Sequence, residues 1–310
     1  MAKLYQKFLR NPTDNRLVQH VMERRRCCLV PDFPLGVVKS LSQGLRDYHV
    51  HENFSELVLV TSGAGVHEVN GLSYPISSGD IFLVQGDLCH CYSEGYGLSI
   101  WNVIFCWEEL PLPKLDVGQI AAFQNLFVID PVNEDPGRFD RRFRMNHDDF
   151  NLILRKVQEL EMLLRTQPAG VQFLAISKFM EIIAFLLSAY ERTIDDTVAS
   201  TIPHRLATLV AMLERSYAEP ISIENMCKAA GMSYASLFRH FRKYYDDTPL
   251  NYLLDQRLQH AGELLKQQPG LPVSEVAFRC GFTDSAYFSR KFREHFNMPP
   301  SRWRRSKMEN

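Results

Sequence analysis

One unit occurs twice in the last hundred residues, and it constrains the fold more than any other feature of the chain. The first copy runs Ile223-Glu-Asn-Met-Cys-Lys-Ala-Ala-Gly231-Met-Ser-Tyr-Ala-Ser-Leu237-Phe-Arg239-His-Phe241. The second runs Val273-Ser-Glu-Val-Ala-Phe-Arg-Cys-Gly281-Phe-Thr-Asp-Ser-Ala-Tyr-Phe288-Ser-Arg290-Lys-Phe292. The glycines are 50 residues apart; after one extra residue in the second turn, Arg239/Arg290, Phe241/Phe292, Pro249/Pro300 and Tyr252/Trp303 are all 51 apart. Each copy reads as two helices joined by a glycine turn. Gly231 and Gly281 end the first helix in a left-handed geometry that only glycine adopts cheaply. Cys227 and Ala277 are small enough for the following helix to cross closely. Ser233 and Thr283/Asp284 are placed to cap the second helix, which buries Leu237 and Phe241, or Phe288 and Phe292. Its other side presents Arg239 and Arg242, or Arg290 and Arg293.

A capped helix with arginines on its exposed face, entered through a glycine turn, suits insertion into the DNA major groove. A long helix from Leu250 to Lys266 would hold the two recognition helices about one DNA turn (~34 Å) apart. Charge agrees: His204 to Asn310 carries 16 Lys and Arg against 11 Asp and Glu, whereas residues 1–203 carry 19 against 25. The basic end is the one a polyanion would meet.

At these residues the chain resembles the DNA-binding domain of the AraC/XylS family of transcription regulators. Gln256-Arg257-Leu258 with Ala261 and Leu264-Leu265 is similar to the family's linker helix. Gly281-Phe282, Tyr287-Phe288-Ser289-Arg290, Phe292 and Pro300 are similar to its signature. Asp246 and Asn297 stand where the family commonly has glycine, and both tolerate left-handed backbone. The resemblance implies double-stranded DNA as partner, with base-reading positions at Ala235, Ser236, Phe238 and Arg239 in the first unit and Ser285, Ala286, Ser289 and Arg290 in the second. Arginine grips guanine bidentately, so Arg239 and Arg290 lead that set. Family activators also touch RNA polymerase, and Glu275 on the outer face of the second unit is a candidate for that contact.

The front half reads differently. Leu57 to Val60, Val66 to Val69, Ile81 to Val84 and Ser99 to Phe105 are strand-like, and Ser62-Gly63-Ala64-Gly65, Asn70-Gly71, Ser77 to Asp80 and Gly95 to Gly97 read as turns between them. Short strands at regular spacing argue for a small barrel. Two helices follow. Phe150, Leu154, Val157, Leu160 and Leu164 recur at helical spacing, and Val171 to Tyr190 is apolar on a wide face that includes Phe173 and Leu174. Thr193 to Pro203 is a linker by composition. The fold class expected is α+β: a cupin-like effector-binding barrel with dimerisation helices over residues 1–192, a linker over 193–203, and an all-α domain with two helix-turn-helix motifs over 204–310.

Within the barrel, His49, His51, Glu56 and Gly63, with His90 later, resemble the two cupin motifs, in which histidines and a carboxylate converge. In the second motif Gln85-Gly86-Asp87 departs from the pattern. Three readings stay open: a sensory pocket in which His49, His51, Glu56 and His90 hydrogen-bond a small effector, a non-catalytic metal site on the same four residues, and a metal-dependent cupin enzyme with a helical appendage. The first needs no cofactor. His67 stands outside the pattern and reads as an ordinary satisfied histidine. The run from Phe54 through Leu110 is most similar to the sugar-responsive branch of the family, activators of rhamnose operons. This implies a monosaccharide effector with Trp101 as one wall of its pocket.

Seven cysteines without ribbon spacing read as small buried hydrophobes. The first residues lack the apolar block of a signal peptide, and the run Ile182 to Tyr190 is too short to span a bilayer. The expectation is a cytoplasmic homodimer with no membrane partner, a ligand-switched DNA-binding activator rather than an enzyme.

Overall fold

The computed structural model describes residues 20–23, 28–41, 48–69, 71–85, 88–113, 116–128, 142–193 and 201–306. Cys27, Asn70, Gly86, Asp87 and residues 194–200 of the expected linker lie outside them. Contacts divide the chain into two compact units: Met1–Lys114 with Leu126–Thr197, and Leu115–Asn125 with Val198–Asn310.

Among the described residues the first unit has eight strands: β1 (His20–Glu23), β2 (Leu35–Leu41), β3 (His49–Glu52), β4 (Ser55–Val69), β5 (Leu72–Ser77), β6 (Asp80–Gln85), β7 (His90–Phe105) and β8 (Arg142–Arg144). They pair in the order β1-β3-β7-β4-β6-β8, with β2 also on β7 and β5 also on β4. The long strands correct the sequence reading. Ser62 to Gly65 and Gly95 to Gly97, expected as turns, lie inside β4 and β7. The β4–β7 register slips between Val60 and Ser62, between Ser62 and Ala64, and between Ala64 and Val66. These glycines therefore mark bulges, where a strand bends without ending. Gly63 has φ +72°, and a Cβ there would lie 2.3 Å from the Gly97 carbonyl carbon; only glycine lets the two backbones pass. The bends curl the sheet around Val58, Val60, Phe82, Val84, Tyr92 and Ile100, giving the cupin-like interior.

Helices α1 (His147–Thr166) and α2 (Val171–Thr193) complete this unit. Asn146 caps α1 by accepting from the Asp149 amide. The buried stripe of α1 is Phe150, Ile153, Val157, Leu160 and Leu164, so Ile153 rather than Leu154 faces inward. By length and composition α2 is apolar enough to cross a membrane; the run Ile182 to Tyr190 is only its second half. Here it buries Ala175, Phe179, Ile182, Ile183, Leu186, Leu187 and Tyr190. Its outer side carries Lys178, paired with Glu159 at 2.7 Å, and Glu181, paired with Lys156. Phe173, expected inside, is 76% exposed.

The second unit holds α3 (Ile202–Arg215), α4 (Ile223–Ala230), α5 (Tyr234–Tyr245), α6 (Pro249–Gln267), α7 (Val273–Arg279), α8 (Ser285–Phe296) and α9 (Pro300–Ser306). Pro203, read as the end of the linker, sits in the first turn of α3, where its fixed φ suits a helix start; Thr201 caps that turn. A further difference is the segment Leu115–Asn125, placed with the front domain by sequence but packed on the second unit. Gly118 lies against Glu214 so closely that a Cβ would be 2.0 Å from Oε2. Gln124 Nε2 donates to the Gly118 carbonyl at 2.7 Å and to Glu214 Oε1 at 3.4 Å, and Tyr252 Oη donates to Glu214 Oε1 at 2.6 Å. Burial raises the Glu214 pKa above the ordinary carboxylate value.

Candidate nucleic-acid interface and effector site

Both repeated units fold as helix, glycine turn, helix. In the first, Ser222 and Asn225 form a capping box at the start of α4, and Gly231 ends it at φ +58°. Ser233 then caps α5 by accepting from the Ser236 amide. In the second, Gly281 follows α7 at φ +80°, and Asp284, rather than Thr283, caps α8 by accepting from the amides of Ala286 and Tyr287 at 2.7 and 3.0 Å. Asp246 and Asn297 end α5 and α8 in left-handed geometry, as their residue types allowed.

Each second helix is anchored on one side only. Leu237 and Phe241 of α5, and Phe288 and Phe292 of α8, are fully buried. Leu258, Ala261 and Leu265 of α6 share a core with Val276, Ala277 and the two α8 phenylalanines. The long helix α6 thereby forms the floor under the second helix-turn-helix. On the opposite sides Arg239, Arg242, Arg290 and Arg293 are exposed, with Ala235 and Ala286 exposed near the helix starts. Ser236, Ser285 and Ser289 are half-buried, and Phe238 is half-buried with its ring stacked on Tyr234 at 4.3 Å. Tyr234 and Tyr287, which sequence reasoning passed over, are also exposed, and the Arg290 guanidinium lies 5.4 Å from the Tyr287 ring centroid. An arginine steadied on an aromatic face loses less freedom when it binds.

The second site lies inside the curled sheet of the first unit. His49 and His90 are cross-strand partners on β3 and β7, and His51 is two residues along β3 on the same face. His90 Nε2 is 3.1 Å from His51 Nε2, and His51 Nε2 is 3.5 Å from Glu56 Oε1. Asn102 Nδ2 donates to Glu56 Oε2 at 3.1 Å. All of these residues are buried. His67, read as an ordinary histidine, belongs to the cluster: its Nε2 is 3.0 Å from His90 Nδ1, and its ring stacks on Phe82 and Tyr92. Eleven residues separate Glu56 from His67, which in an unbroken strand would put them on opposite faces; the bulges in β4 bring His67 round. Trp101 is not part of the site. It neighbours inward-facing Asn102 on β7 and so points to the other face, where the Lys39 ammonium lies 5.7 Å from its ring centroid. The aromatic walls are instead Phe54, stacked on His51 at 4.4 Å, with Phe82 and Tyr92.

Burial dominates the charge state of this interior. It pushes the Glu56 carboxyl up to about 8, against the opposing Asn102 hydrogen bond, and holds His67 down to about 3. His51 and His90 are likewise held well below the ordinary imidazole value, by burial first and by neighbouring histidines second. Burial therefore disfavours the charged forms of both His51 and Glu56. His51 Nδ1, Tyr92 Oη and Asn102 Oδ1 are buried with no hydrogen-bond partner among the described residues.

Residues 226–306 match the helix-turn-helix domain family, and residues 39–111 match the AraC-like ligand binding domain family. The HTH-type transcriptional activator RhaR of Klebsiella pneumoniae subsp. pneumoniae is 30% identical over 270 residues, covering 87% of this chain and 91% of that protein. The chain belongs to the AraC family. A second AraC-family relative, the HTH-type transcriptional activator RhaS of Salmonella agona, is 30% identical over 269 residues, covering 86% and 90% of the two chains. The fold agrees with the resemblance carried by Gly281, Phe288, Arg290 and Pro300: an AraC-like ligand-binding unit precedes a DNA-binding unit with two helix-turn-helix motifs. This AraC-family chain is thus a ligand-responsive, DNA-binding transcription regulator.

Proposed function

We propose that the protein is a cytoplasmic activator of a sugar-catabolism operon, switched by a neutral monosaccharide bound inside the curled sheet, and that it is not an enzyme. The observation that supports the effector reading is the set of buried polar atoms left unmatched there: His51 Nδ1, Tyr92 Oη and Asn102 Oδ1. Each unmade hydrogen bond in such a place costs about 1–3 kcal/mol. A sugar carries hydroxyls at fixed angles and an apolar ring face. It would satisfy those atoms while lying against Phe54, Phe82 or Tyr92. His49, His51, Glu56 and His90 remain the polar contacts of this reading, joined by His67 and Asn102, and Trp101 leaves it.

On DNA, α5 and α8 enter successive major grooves. Arg239 and Arg290 read bases, while Arg242 and Arg293, one turn further along each helix, hold phosphates. Pairing of two chains through α1 and α2 doubles the recognition surface, and the exposed Phe173, Leu174 and Met162 give those helices apolar area for it. Glu275, held by Arg279 at 2.9 Å on α7, is the proposed contact to RNA polymerase. Effector shifts DNA binding only by its difference in affinity for the two states of the protein.

Two experiments test this. Binding-site selection with Arg290→Ala should show a loss of roughly 1–3 kcal/mol with relaxed preference at one base pair; an equal loss on every sequence counts against base reading. A thermal-shift screen against monosaccharides should show one that stabilises the protein by about 2.7 kcal/mol at 100 times its dissociation constant. No shift with any sugar removes the effector assignment and leaves the DNA reader intact.

A further inference from the structure

We infer that Tyr234 and Phe238 form an apolar reading surface on α5, and that this surface recognises the C5-methyl group of a thymine in the half-site which α5 contacts. The inference rests on the proposal that α5 enters a major groove, and it adds to that reading which base the helix selects.

The pair stands outside the core of its unit. Leu237, Phe241, Tyr244 and Tyr245 are the buried residues that hold α5. Tyr234 is 56% exposed and Phe238 half-buried, and their rings stack with centroids 4.3 Å apart and planes inclined by 27°. The repeat shows that the helix does not need them to fold. At the same two places in α8, 51 residues on, stand Ser285 and Ser289, yet both helices are 12 residues long. Conversely Tyr287, the exposed aromatic of α8, stands where α5 has Ser236. The two units share their buried phenylalanines, Phe241 and Phe292, and differ in the aromatic surface they turn outward. A difference confined to the outward surface points to what each helix touches.

Placement on the helix identifies the target. Tyr234 is the first residue of α5, directly after the Ser233 cap, and the N-terminal residues of a recognition helix are those that meet base edges. Phe238 and Arg242 follow at steps of four, so the two rings and a cation share one row along the helix. Exposed Ala235 lies beside that row, three residues before Phe238 and four before Arg239. Its short side chain lets a base edge come close between the rings and Arg239. The major groove presents hydrogen-bond donors, acceptors and one apolar group, the thymine methyl; two ring faces and an alanine suit the last of these. In α8 the aromatic has another task, since Arg290 lies 5.4 Å from the Tyr287 ring centroid. In α5 Arg239 turns instead to His240, Nη2 to Nε2 at 3.2 Å, and His240 lies on the far side of the helix from Phe238. The aromatic row of α5 is thereby left to the base.

The test alters the DNA before the protein. Binding-site selection with the full-length chain gives the preferred site, and the half-site whose preferences survive Arg290→Ala is that of α5. Each thymine there is then exchanged for deoxyuridine, which loses the methyl group and keeps its base pair. In gel-shift titrations at least one exchange should weaken binding about fourfold, as withdrawal of one buried methyl group does. Tyr234→Ala, an exposed position beside an intact cap, should bind the thymine and deoxyuridine sites alike; the parent's difference should persist in Arg290→Ala, which alters the other helix. A half-site with no thymine, or one whose thymines can all be exchanged without loss, overturns the inference, and so does a penalty undiminished in Tyr234→Ala. Those results would leave α5 in the groove. A selection that yields no preferred sequence refutes the groove reading itself, and this inference with it.

Discussion

Replacing Gly281 with alanine should damage the protein far more than the equivalent change at Gly231, although the two occupy the same place in the repeat. Both residues are left-handed, at φ +80° and +58°, and a non-glycine residue there costs roughly 1–2 kcal/mol. At Gly231 a Cβ would meet Arg205 Nη2 at 3.0 Å, a side-chain end that can give by a few tenths of an ångström while its Nε keeps the 2.8 Å bond to the Ala230 carbonyl. At Gly281 it would lie 2.8 Å from the Ala218 carbonyl oxygen and 2.9 Å from Arg257 Nε. Backbone does not give in this way, and Arg257 is committed: its Nε and Nη2 donate to the carbonyls of Tyr217 and Glu219 at 2.7 and 2.8 Å. A hydrogen bond to a charged group contributes about 1.5–3 kcal/mol. Losing even one places Gly281→Ala at roughly 2.5–5 kcal/mol, against about 1–2 kcal/mol for Gly231→Ala. Urea unfolding followed by the far-ultraviolet helix signal would measure both, with Gly270→Ala as a control, since a Cβ there meets nothing within 4 Å. If Gly281→Ala unfolds at the same urea concentration as Gly231→Ala, the close approach of Ala218 and Arg257 does not constrain the second turn and the reasoning fails.

Phe288→Ala, at a fully buried position between α6 and α7, should cost about 3–5 kcal/mol, and gel-shift assays should show loss of the second half of the DNA contact with it. Arg242→Ala should weaken binding to all DNA sequences alike and lower the salt dependence of binding by about one unit of slope; a change in sequence preference would instead make Arg242 a base reader. Glu214 predicts a pH effect of unusual sign. Its folded-state pKa is raised by burial, so the stability it contributes is fully present below the unfolded carboxylate value and is lost as pH rises through the folded one. The melting temperature of the parent should therefore fall relative to that of Glu214→Gln as pH is raised from acid to alkaline, and a pH-independent difference would contradict it.

The sequence disclosed the second unit more fully than the first, for physical reasons visible in particular residues. Helical periodicity, the left-handed glycines and the caps at Ser233 and Asp284 are local signals, and a repeat states each of them twice. Those features place two helices in each copy, as α4 with α5 and α7 with α8, and the long helix α6 between them. In the front half local signals misled. Glycines in Ser62 to Gly65 looked like a turn because a bulge and a turn ask for the same backbone freedom; only the pairing of β4 with β7 decides between them. The same slip in register decides which face His67 occupies, so its place in the cluster could not be read from spacing. Trp101 failed for the converse reason: strand alternation from Glu56 and Asn102 excludes it, but the register that links them is not local. His49, His51, Glu56 and His90 were found because a motif, not periodicity, marked them.

The segment Leu115–Asn125 bears on how such proteins are taken apart and recombined. Gly118 and Gln124 cover the Glu214 carboxylate, so the backbone visits the DNA-reading unit twice, once early and once for good. Residues 194–200 are therefore a poor seam. A fragment started at Val198 would carry a half-buried acid stripped of its cover. A chimaera that joined a relative's front half to this chain there would leave the Glu214 carboxylate without the segment that covers it. Moving the DNA-reading half of this chain is a two-piece graft, in which Leu115–Asn125 travels with the helices it packs against.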